Sequence, residues 1–278
     1  MPENEHEVRQ VVREGYAKVA KNAGSCCGPA KSCCGVATPE TASRAVGYSA
    51  EELAAVPDGA DLGLGCGNPV ALASLRPGET VLDLGSGAGI DCFLAARKIG
   101  PEGKVIGVDM TPEMLEKARK NAVSAGVSNV ELRLGEIEHL PVADSSVDVV
   151  ISNCVINLST DKPQVFREAF RVLRPAGRLM VSDIVLNSPL PKELLASAAA
   201  YVGCISGASL KNDYLAMMSA AGFSDVAVVS EERFPVEATA SDPTLQALVR
   251  ESGLSADELR RAAAGVLSIK VSALKPTK

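Results

Sequence analysis

The sequence has few of the side chains on which nucleic-acid-binding proteins and membrane proteins depend. It contains no Trp, aromatic residues make up 3% of it, and its formal net charge is −6. Because bases stack on aromatic rings and phosphates attract basic surfaces, these absences argue against a nucleic acid as the partner. No apolar run reaches the roughly 18 residues that a membrane span needs, and because residues 1–7 are polar and acidic we do not expect them to act as a signal peptide. We therefore expect a cytoplasmic protein that does not enter a membrane.

The sequence does contain enough apolar residues for a large core, together with many cysteines. Hydrophobic residues make up 46% of the 278 positions, which suits one large domain with small additions. Eight cysteines are many for a chain in a reducing compartment, where they stay thiols. They therefore indicate thiol chemistry or metal binding rather than a disulfide framework.

Strand-like and helix-like segments alternate from residue 79 onward. We expect strands at 80–84, 104–109, 130–134, 147–152, 177–184, 226–230 and 266–273. Helices are expected at 5–22, 89–99, 163–173 and 191–221, and one more from its cap Thr111 to about Gly126. The alternation predicts a doubly wound α/β fold with a mostly parallel sheet. We divide the chain into an N-terminal helix and cysteine-rich loop (1–45), a cofactor-binding domain (46–235) and a C-terminal segment with the last strand (236–278).

A glycine-rich loop follows the first strand and opens a helix. Its acidic and glycine positions are Asp83, Gly85, Gly87 and Gly89. Asp109 ends the second strand, with Met110 beside it. Glycines let the backbone pass close beneath a ligand, and a carboxylate at the end of the second strand can bind ribose hydroxyls. A nucleoside-containing cofactor is therefore expected at this edge of the sheet.

The spacing of the loop distinguishes between two cofactors. The pattern is Gly-x-Gly-x-Gly rather than the Gly-x-Gly-x-x-Gly of dinucleotide-binding proteins, and the carboxylate of Asp83 precedes it. That carboxylate would repel a pyrophosphate, whereas it would attract the ammonium group of S-adenosylmethionine. The loop therefore favours S-adenosylmethionine, and the alternative is a nicotinamide cofactor or a purely structural turn.

The turn after the third strand extends this predicted pocket. It carries Glu136, Ile137 and Glu138. Together with Asp83 and Asp109, it resembles the cofactor pocket of S-adenosylmethionine-dependent methyltransferases. In those proteins this turn holds adenine, and the resemblance therefore implies contacts from the Ile137 backbone and from one of the two carboxylates. A polar strand-end turn is the alternative. Asn153, at the end of the fourth strand, is the last expected cofactor contact.

Cysteines from three separate segments are expected to converge over the same crevice. Ligands of an open α/β sheet bind beyond the carboxyl ends of the strands where strand order reverses, and strands one and four should flank that point. Cys66 precedes the first strand, Cys154 ends the fourth and Cys204 follows the fifth. Simple burial as free cysteine is the alternative for each of them. Cys92 instead shares a helix stripe with apolar residues at i+3, i+4 and i+7, which predicts core packing.

These cysteine segments resemble those of the arsenite S-adenosylmethionine methyltransferases, a family of class I methyltransferases. The resemblance covers roughly residues 40–235, and its most specific segments are Gly65–Pro69, Ser152–Leu158 and Gly203–Gly207. It implies a Rossmann-like sheet of seven strands with an antiparallel last strand. It also implies that As(III) is bound by Cys66, Cys154 and Cys204. Some members carry an aromatic residue two positions before the first of these cysteines, where this chain has Leu64.

The resemblance also implies a disulfide relay that involves a cysteine near the N-terminus. The candidates are Cys26, Cys27, Cys33 and Cys34. Three interpretations of these residues stay open: a relay or delivery of arsenite, a zinc site, and inert thiols. In a relay, thioredoxin or glutathione would reduce the disulfide again.

Methyl transfer to trivalent arsenic is the chemistry that this resemblance implies. Soft thiolates suit As(III), and three of them leave its lone pair free to face the cofactor methyl. The sulfonium is a good leaving group, and the only histidines, His6 and His139, lie in no base motif. Arsenite and methylarsenite are the expected substrates, in arsenic detoxification. The alternatives are a methyltransferase that acts on a quinone or sterol carbon and a non-catalytic arsenic or metal sensor.

Overall fold

The computed structural model describes residues 5–22, 38–195, 204–233 and 253–277. The four cysteines of the predicted N-terminal loop, Cys26, Cys27, Cys33 and Cys34, lie outside these residues. The described helices are α1 (Glu5–Asn22), α2 (Pro39–Ala45), α3 (Ala50–Ala54), α4 (Pro69–Leu72), α5 (Ile90–Ile99), α6 (Pro112–Ser124), α7 (Lys162–Val172), α8 (Lys192–Leu195), α9 (Lys211–Ala220) and α10 (Ala256–Ala264). The described strands are β1 (Thr80–Leu84), β2 (Lys104–Asp109), β3 (Val130–Leu134), β4 (Val147–Asn153), β5 (Leu173–Leu186), β6 (Ser224–Arg233) and β7 (Val266–Leu274).

One mixed sheet of seven strands organises the described part of the chain. The strand order is β3-β2-β1-β4-β5-β7-β6. Strands β1 to β5 pair in parallel, and β7 runs antiparallel to both β5 and β6. The predicted fold class is therefore confirmed. Strand order reverses between β1 and β4, where Leu84 lies opposite Ser152, and this reversal opens a crevice beyond the carboxyl ends of the strands.

Helices cover both faces of the central strands, which explains why these strands are almost wholly apolar. In β1 the side chains of Val81, Leu82 and Leu84 have no exposed surface. Helix α5 packs one apolar cluster against the sheet, and Cys92 belongs to this cluster, as its stripe position predicted. The side chains of the edge strand β6 are mostly exposed or half-buried, because its outer side has no neighbouring strand.

The prediction that helices fill residues 191–221 is wrong in the middle of that range. Residues 204–210 form turns between α8 and α9, and residues 196–203 lie outside the described chain. Cys204 has a φ of 62°, which a right-handed helix cannot contain. The carbonyl of Ser209 accepts a hydrogen bond from the Leu186 N–H instead of continuing a helix. The turn therefore returns to the end of β5 and carries Cys204 with it.

Thr111 precedes α6, as predicted, but its side chain does not cap the helix. Its backbone N–H and its hydroxyl both bond to the carboxylate of Asp109. None of the described helices combines the length and the apolar character that crossing a membrane requires.

Candidate active site

The crevice at the strand-order reversal collects most of the residues that were predicted from sequence. It is lined by the ends of β1, β2 and β4, by the turn after β3 and by helix α1. The predicted cofactor residues on its wall are Asp83, Gly85, Gly87, Asp109, Met110, Ile137, Glu138 and Asn153. Two predicted contacts, Gly89 and Glu136, are not among the lining residues. Leu64 and Cys154 also lie on the wall.

The glycine loop takes its shape from backbone conformations that favour glycine. Gly85, Gly87 and Gly89 have φ values of 67°, 51° and 99°. A side chain at Gly85 would overlap Val155, and one at Gly89 would come within 2.7 Å of the Phe93 ring. A side chain at Gly87 would meet nothing within 4 Å. Gly85 and Gly89 therefore permit close packing, whereas Gly87 borders the open space of the crevice.

Asp109 fastens this loop to the end of β2. Its Oδ2 accepts a hydrogen bond from the Gly87 N–H at 2.9 Å, and its Oδ1 accepts one from the Thr111 N–H at 2.8 Å. Burial raises the pKa of the Asp109 carboxyl, although these hydrogen bonds act in the opposite direction. The residue predicted to meet ribose hydroxyls thus fixes the conformation of the glycine loop.

Two buried carboxyl groups lie at the β1 end of the crevice. Asp83 accepts a hydrogen bond from Cys92 Sγ at 3.2 Å, and burial together with the charge of Asp91 raises the pKa of Asp83. Asp91 accepts hydrogen bonds from the Tyr48 hydroxyl at 2.8 Å and from Asn153 Nδ2 at 3.0 Å. Burial raises the pKa of Asp91 to about 6. A pair of carboxyl groups that oppose each other's ionisation is a place where a cationic ligand group is stabilised.

Asp91 and Tyr48 were missed by the sequence analysis. The only signal was an acidic side chain in the first turn of α5, directly after the glycine loop. Tyr48 lies between α2 and α3, and no motif there indicates that its hydroxyl reaches α5.

The turn after β3 presents one of its two carboxylates to the crevice. Glu138 is buried and accepts a hydrogen bond from the Ser159 hydroxyl at 2.6 Å. Glu136 faces α1 instead, where Arg13 Nη2 lies 3.5 Å from its Oε1. Arg9 lies near both, with its Nη2 3.8 Å from Glu138 Oε1 and its Nε 3.9 Å from Glu136 Oε2. Of the two alternatives left open by the sequence, Glu138 is the one that borders the crevice.

The three cysteines predicted to act together are gathered beside this crevice. Cys66, Cys154 and Cys204 are buried and pack in one apolar cluster. Cys204 Sγ donates to the Cys154 carbonyl oxygen at 2.9 Å. The sulfurs of Cys66 and Cys154 and a carboxylate oxygen of Asp183 all lie within 4.8 Å of one another. All four cysteines in the described part of the chain are free thiols.

The surroundings of these thiols favour their protonated form. Burial raises the pKa of Cys66 to about 11. A hydrogen bond to Cys154, together with burial, raises the pKa of Cys204 well above its ordinary value. The nearby carboxyl of Asp183 contributes to the same effect on both thiols. The thiolate forms of Cys66 and Cys204 are therefore disfavoured unless a ligand takes the place of the proton.

Close packing and unusual backbone conformations hold the cysteines in place. Cys154 and Cys204 have φ values of 58° and 62°, in the left-handed region that non-glycine residues seldom adopt. Asn153 Oδ1 accepts a hydrogen bond from the Cys66 N–H at 3.1 Å, and its Nδ2 donates to the Gly67 carbonyl at 2.8 Å. Because Asn153 also bonds Asp91, it connects the cysteine cluster to the carboxyl pair.

Asp183 is a second buried acid that the sequence analysis missed. Its Oδ1 accepts from Asn157 Nδ2 at 2.8 Å, and its Oδ2 accepts from the Tyr214 hydroxyl at 3.0 Å. Burial raises the pKa of Asp183 to about 7. It lies in β5 between ordinary strand residues, so no local pattern marked it.

This fold, with a glycine loop and acidic strand ends at the β1–β4 reversal, is that of a class I methyltransferase. Residues 75–222 match the family model described as a methyltransferase domain. An arsenite methyltransferase from Halobacterium salinarum is 52% identical over 233 residues, which cover 81% of this chain and 60% of the relative. The solved arsenic(III) S-adenosylmethionine methyltransferase from Chlamydomonas reinhardtii matches with a TM-score of 0.63 and 35% identity, over 84% of this chain and 74% of that one. The chain belongs to the arsenite methyltransferase family.

A further arsenite methyltransferase, from Aquipseudomonas alcaligenes, is 42% identical over 184 residues, or 64% of this chain. The chain spans 60% of the length of the Halobacterium relative and 52% of the Aquipseudomonas relative. The similarity therefore concerns the part of those proteins that this chain shares.

Proposed function

We propose that the protein transfers a methyl group from S-adenosylmethionine to trivalent arsenic held by the thiolates of Cys66, Cys154 and Cys204. The observation that supports this most is the meeting of three free thiols from three separate segments beside the crevice. A carbon acceptor would require no such cluster. Soft sulfur ligands are the ones that a thiophilic centre such as As(III) prefers.

The crevice offers suitable partners for each part of S-adenosylmethionine. Its ammonium group would be held near the carboxyl pair of Asp83 and Asp91, and its ribose hydroxyls by Asp109. Its adenine would lie at the turn of Ile137 and Glu138. The space beside Gly87, where a side chain would meet nothing within 4 Å, fits a ligand that passes close to the backbone. When bound, this cofactor supplies an electrophilic methyl group on a sulfonium.

The protonated state of the cysteines is compatible with arsenite binding. Arsenous acid carries three hydroxyl groups, and each S–As bond that forms can release one hydroxyl as water with the proton of the attacking thiol. Three thiols and one arsenous acid thus yield one tris-thiolate complex and three waters. Because protons and hydroxyls leave together, the raised pKa of Cys66 does not oppose the overall exchange. The three sulfurs would then hold arsenic with its lone pair free, and holding it close to the cofactor methyl would make the transfer effectively intramolecular.

The proposal is tested with purified protein, arsenite, isotopically labelled S-adenosylmethionine and a thiol. We expect label on arsenic, and we expect Cys154→Ser and Cys204→Ser to abolish that transfer. Both variants should still bind S-adenosylhomocysteine, measured by calorimetry, which serves as the control for folding. A methyltransferase acting on a quinone or sterol carbon would show no arsenic label, and a sensor would bind arsenite without turnover. Either result would refute the proposal.

We also propose that an external thiol reductant, thioredoxin or glutathione, completes the cycle in the cytoplasm. Methyl transfer takes arsenic toward the pentavalent state, and two electrons from a pair of thiols return it to the trivalent state as those thiols form a disulfide. The relay cysteines would come from Cys26, Cys27, Cys33 and Cys34, and methylarsenite would be the next substrate. Replacing each Cys-Cys pair by Ser-Ser should stop repeated turnover but leave the first methyl transfer. Unchanged multiple turnover in both pair variants would contradict the relay.

A further inference from the structure

The side chain of Asn153 lies between the cysteine cluster and the carboxyl pair and bonds to both. Its Oδ1 accepts a hydrogen bond from the Cys66 N–H at 3.1 Å. Its Nδ2 lies 2.8 Å from the Gly67 carbonyl oxygen, 2.8 Å from the Tyr48 hydroxyl and 3.0 Å from Asp91 Oδ2. One amide therefore contacts both the segment that carries the first cysteine and a carboxyl group proposed to meet the ammonium of the cofactor.

The Nδ2 group of Asn153 has more acceptors around it than hydrogens to donate. A side-chain amide offers two N–H hydrogens, and three oxygen atoms compete for them here. The Tyr48 hydroxyl donates its own proton to Asp91 Oδ1 at 2.8 Å, so it presents only lone pairs to the amide. A carboxylate is the strongest of the three acceptors, because hydrogen bonds to charged groups are roughly twice as strong as neutral ones. Asp91 therefore draws the amide away from the Gly67 carbonyl.

A cationic ligand group at the carboxyl pair changes this competition. An ammonium group donates its own hydrogens to Asp91 and offsets the charge of the carboxylate. Asp91 then competes less for the amide hydrogens, and the bond from Asn153 to the Gly67 carbonyl strengthens. Because Cys66 and Gly67 are neighbours in one turn, the position of the Cys66 sulfur becomes better defined at the same time.

The turn around Cys66 has little freedom to move away from Asn153. A Cβ at Gly65 would lie 2.7 Å from Asn153 Nδ2, so the backbone of the turn packs directly on the amide. Two further contacts tie Cys66 to the sheet: its carbonyl accepts from the Ser268 hydroxyl at 2.7 Å, and its Sγ donates to the Ser182 carbonyl at 3.5 Å. Those serines belong to β7 and β5. The sheet thus anchors Cys66, and Asn153 connects it to the crevice.

We propose that Asn153 is a positioning residue through which the two substrates bind cooperatively. A cofactor whose ammonium group occupies the carboxyl pair strengthens the hold of Asn153 on the Cys66–Gly67 turn and thereby raises the affinity for arsenite. This inference rests on the proposed function and adds to it a coupling between the two ligands. Because such coupling is reciprocal, arsenite raises the affinity for the cofactor by the same factor. The arsenic site is then best formed when the methyl donor is already bound.

The coupling is measured as the ratio of the arsenite Kd without a cofactor analogue to the arsenite Kd with a saturating one, both from calorimetry. Two analogues are compared. S-adenosylhomocysteine has the ammonium group, whereas methylthioadenosine keeps the adenosine and the sulfur but lacks the amino-acid end. We expect S-adenosylhomocysteine to tighten arsenite binding to wild type about 5- to 10-fold, and methylthioadenosine to change it less than about twofold. Equal tightening by both analogues would mean that the ligands act on each other directly, and it would overturn the inference.

Two variants test whether the coupling passes through Asn153. In Asn153→Ala the ratio for S-adenosylhomocysteine should fall to about 1. A purely structural role of Asn153 would lower both affinities but leave the ratio as in wild type, and that result would overturn the inference. Tyr48→Phe keeps the ring and the Asn153 amide but leaves two acceptors, Gly67 and Asp91, for its two hydrogens. Because the competition is then relieved, this ratio should also fall below about twofold, and a wild-type ratio in Tyr48→Phe would count against the mechanism.

Cys92→Ala is the matched control at the carboxyl pair. It removes the hydrogen bond that Asp83 accepts at 3.2 Å and leaves the contacts of Asn153 in place. Its ratio should stay within about twofold of wild type, and a ratio of 1 would show that the coupling passes through Asp83 instead. If wild type bound arsenite with a ratio of 1, this inference alone would fall. If wild type bound no arsenite, the proposed function would fall with it.

Discussion

Replacing Gly67 by Ala should dislodge Cys66 from its two partner cysteines. A Cβ at Gly67 would overlap the Ser182 hydroxyl and would lie 2.9 Å from Ser182 Cβ. The segment cannot move aside easily, since the Cys66 carbonyl accepts from Ser268 at 2.7 Å and the Gly67 carbonyl accepts from Asn153 at 2.8 Å. Ser182 itself lies in the buried part of β5, whose backbone is paired on both sides.

The cost follows from the rigidity of these neighbours. An extra methyl group in a well-packed interior destabilises a fold by about 1–3 kcal/mol, and each kcal/mol lowers the Tm of a domain of this size by roughly 2–4 °C. The displacement matters more for function, because a shift of about 1 Å at a positioned ligand can cost on the order of 100-fold in rate. We therefore expect a modest loss of stability, a fall in methylation rate of up to about 100-fold, and weaker arsenite binding because one of the three sulfurs is displaced.

A second substitution makes this reasoning refutable. In the variant Gly67→Ala with Ser182→Gly, both clashing atoms are gone, and the next neighbour is the flexible end of Lys270 at 3.3 Å. Thermal unfolding and arsenite calorimetry on wild type, both single variants and the double variant then form a cycle. Recovery of arsenite affinity in the double variant is expected. A single Gly67→Ala variant with wild-type affinity, or a double variant that recovers nothing, would show that this contact does not position Cys66.

Three further predictions concern the cofactor side of the crevice. Burial raises the pKa of Asp91 to about 6, and protonation below that pH removes the charge that attracts the ammonium group of S-adenosylhomocysteine. The affinity for this ligand should therefore fall by up to about tenfold per pH unit as the pH drops below 6. Calorimetry between pH 5 and 8 measures this dependence, and an affinity that does not change with pH would contradict the prediction. Asp109→Ala frees the Gly87 N–H and should weaken the same affinity about 10- to 100-fold, and an unaltered Kd would mean that the loop holds its shape unaided. Arg9→Ala removes the cation that bridges α1 to Glu138 and should weaken cofactor affinity several-fold, as measured by calorimetry. Because this pair is largely buried, added salt should change the wild-type affinity much less than the substitution does, and an equal effect of salt would contradict the prediction.

The sheet and the glycine loop could be predicted because their signals are local. Each buried strand is a short apolar run, and the left-handed loop positions require glycine at Gly85, Gly87 and Gly89. The rule for open α/β sheets brings Cys154 and Cys204, which follow β4 and β5, to one edge of the sheet. Cys66 precedes β1, and the three cysteines were assigned together because their segments resemble those of the arsenite methyltransferases. Nothing in that rule depends on tertiary packing.

The missed features depend on contacts between distant segments. The periodicity of α1 predicts that one face is buried, but it does not indicate that Val12 and Tyr16 on that face line the crevice. The left-handed turn at Cys204 was missed because a non-glycine residue carries no sequence signal for positive φ. Asp91 and Asp183 have no motif, and only their burial beside other polar groups distinguishes them from surface acids.

The three sulfurs lie on segments that are remote in the chain, with Cys154 and Cys204 separated by 50 residues. An arsenic atom bonded to all three, as proposed, would tie these segments together as covalently as a disulfide does. Closing a loop of that length in the unfolded chain costs about 4 kcal/mol of conformational entropy, which then favours the folded state. Arsenic, which inactivates many proteins by bridging their thiols, would act here as a reversible cross-link, and the melting temperature would report how much of the protein carries it.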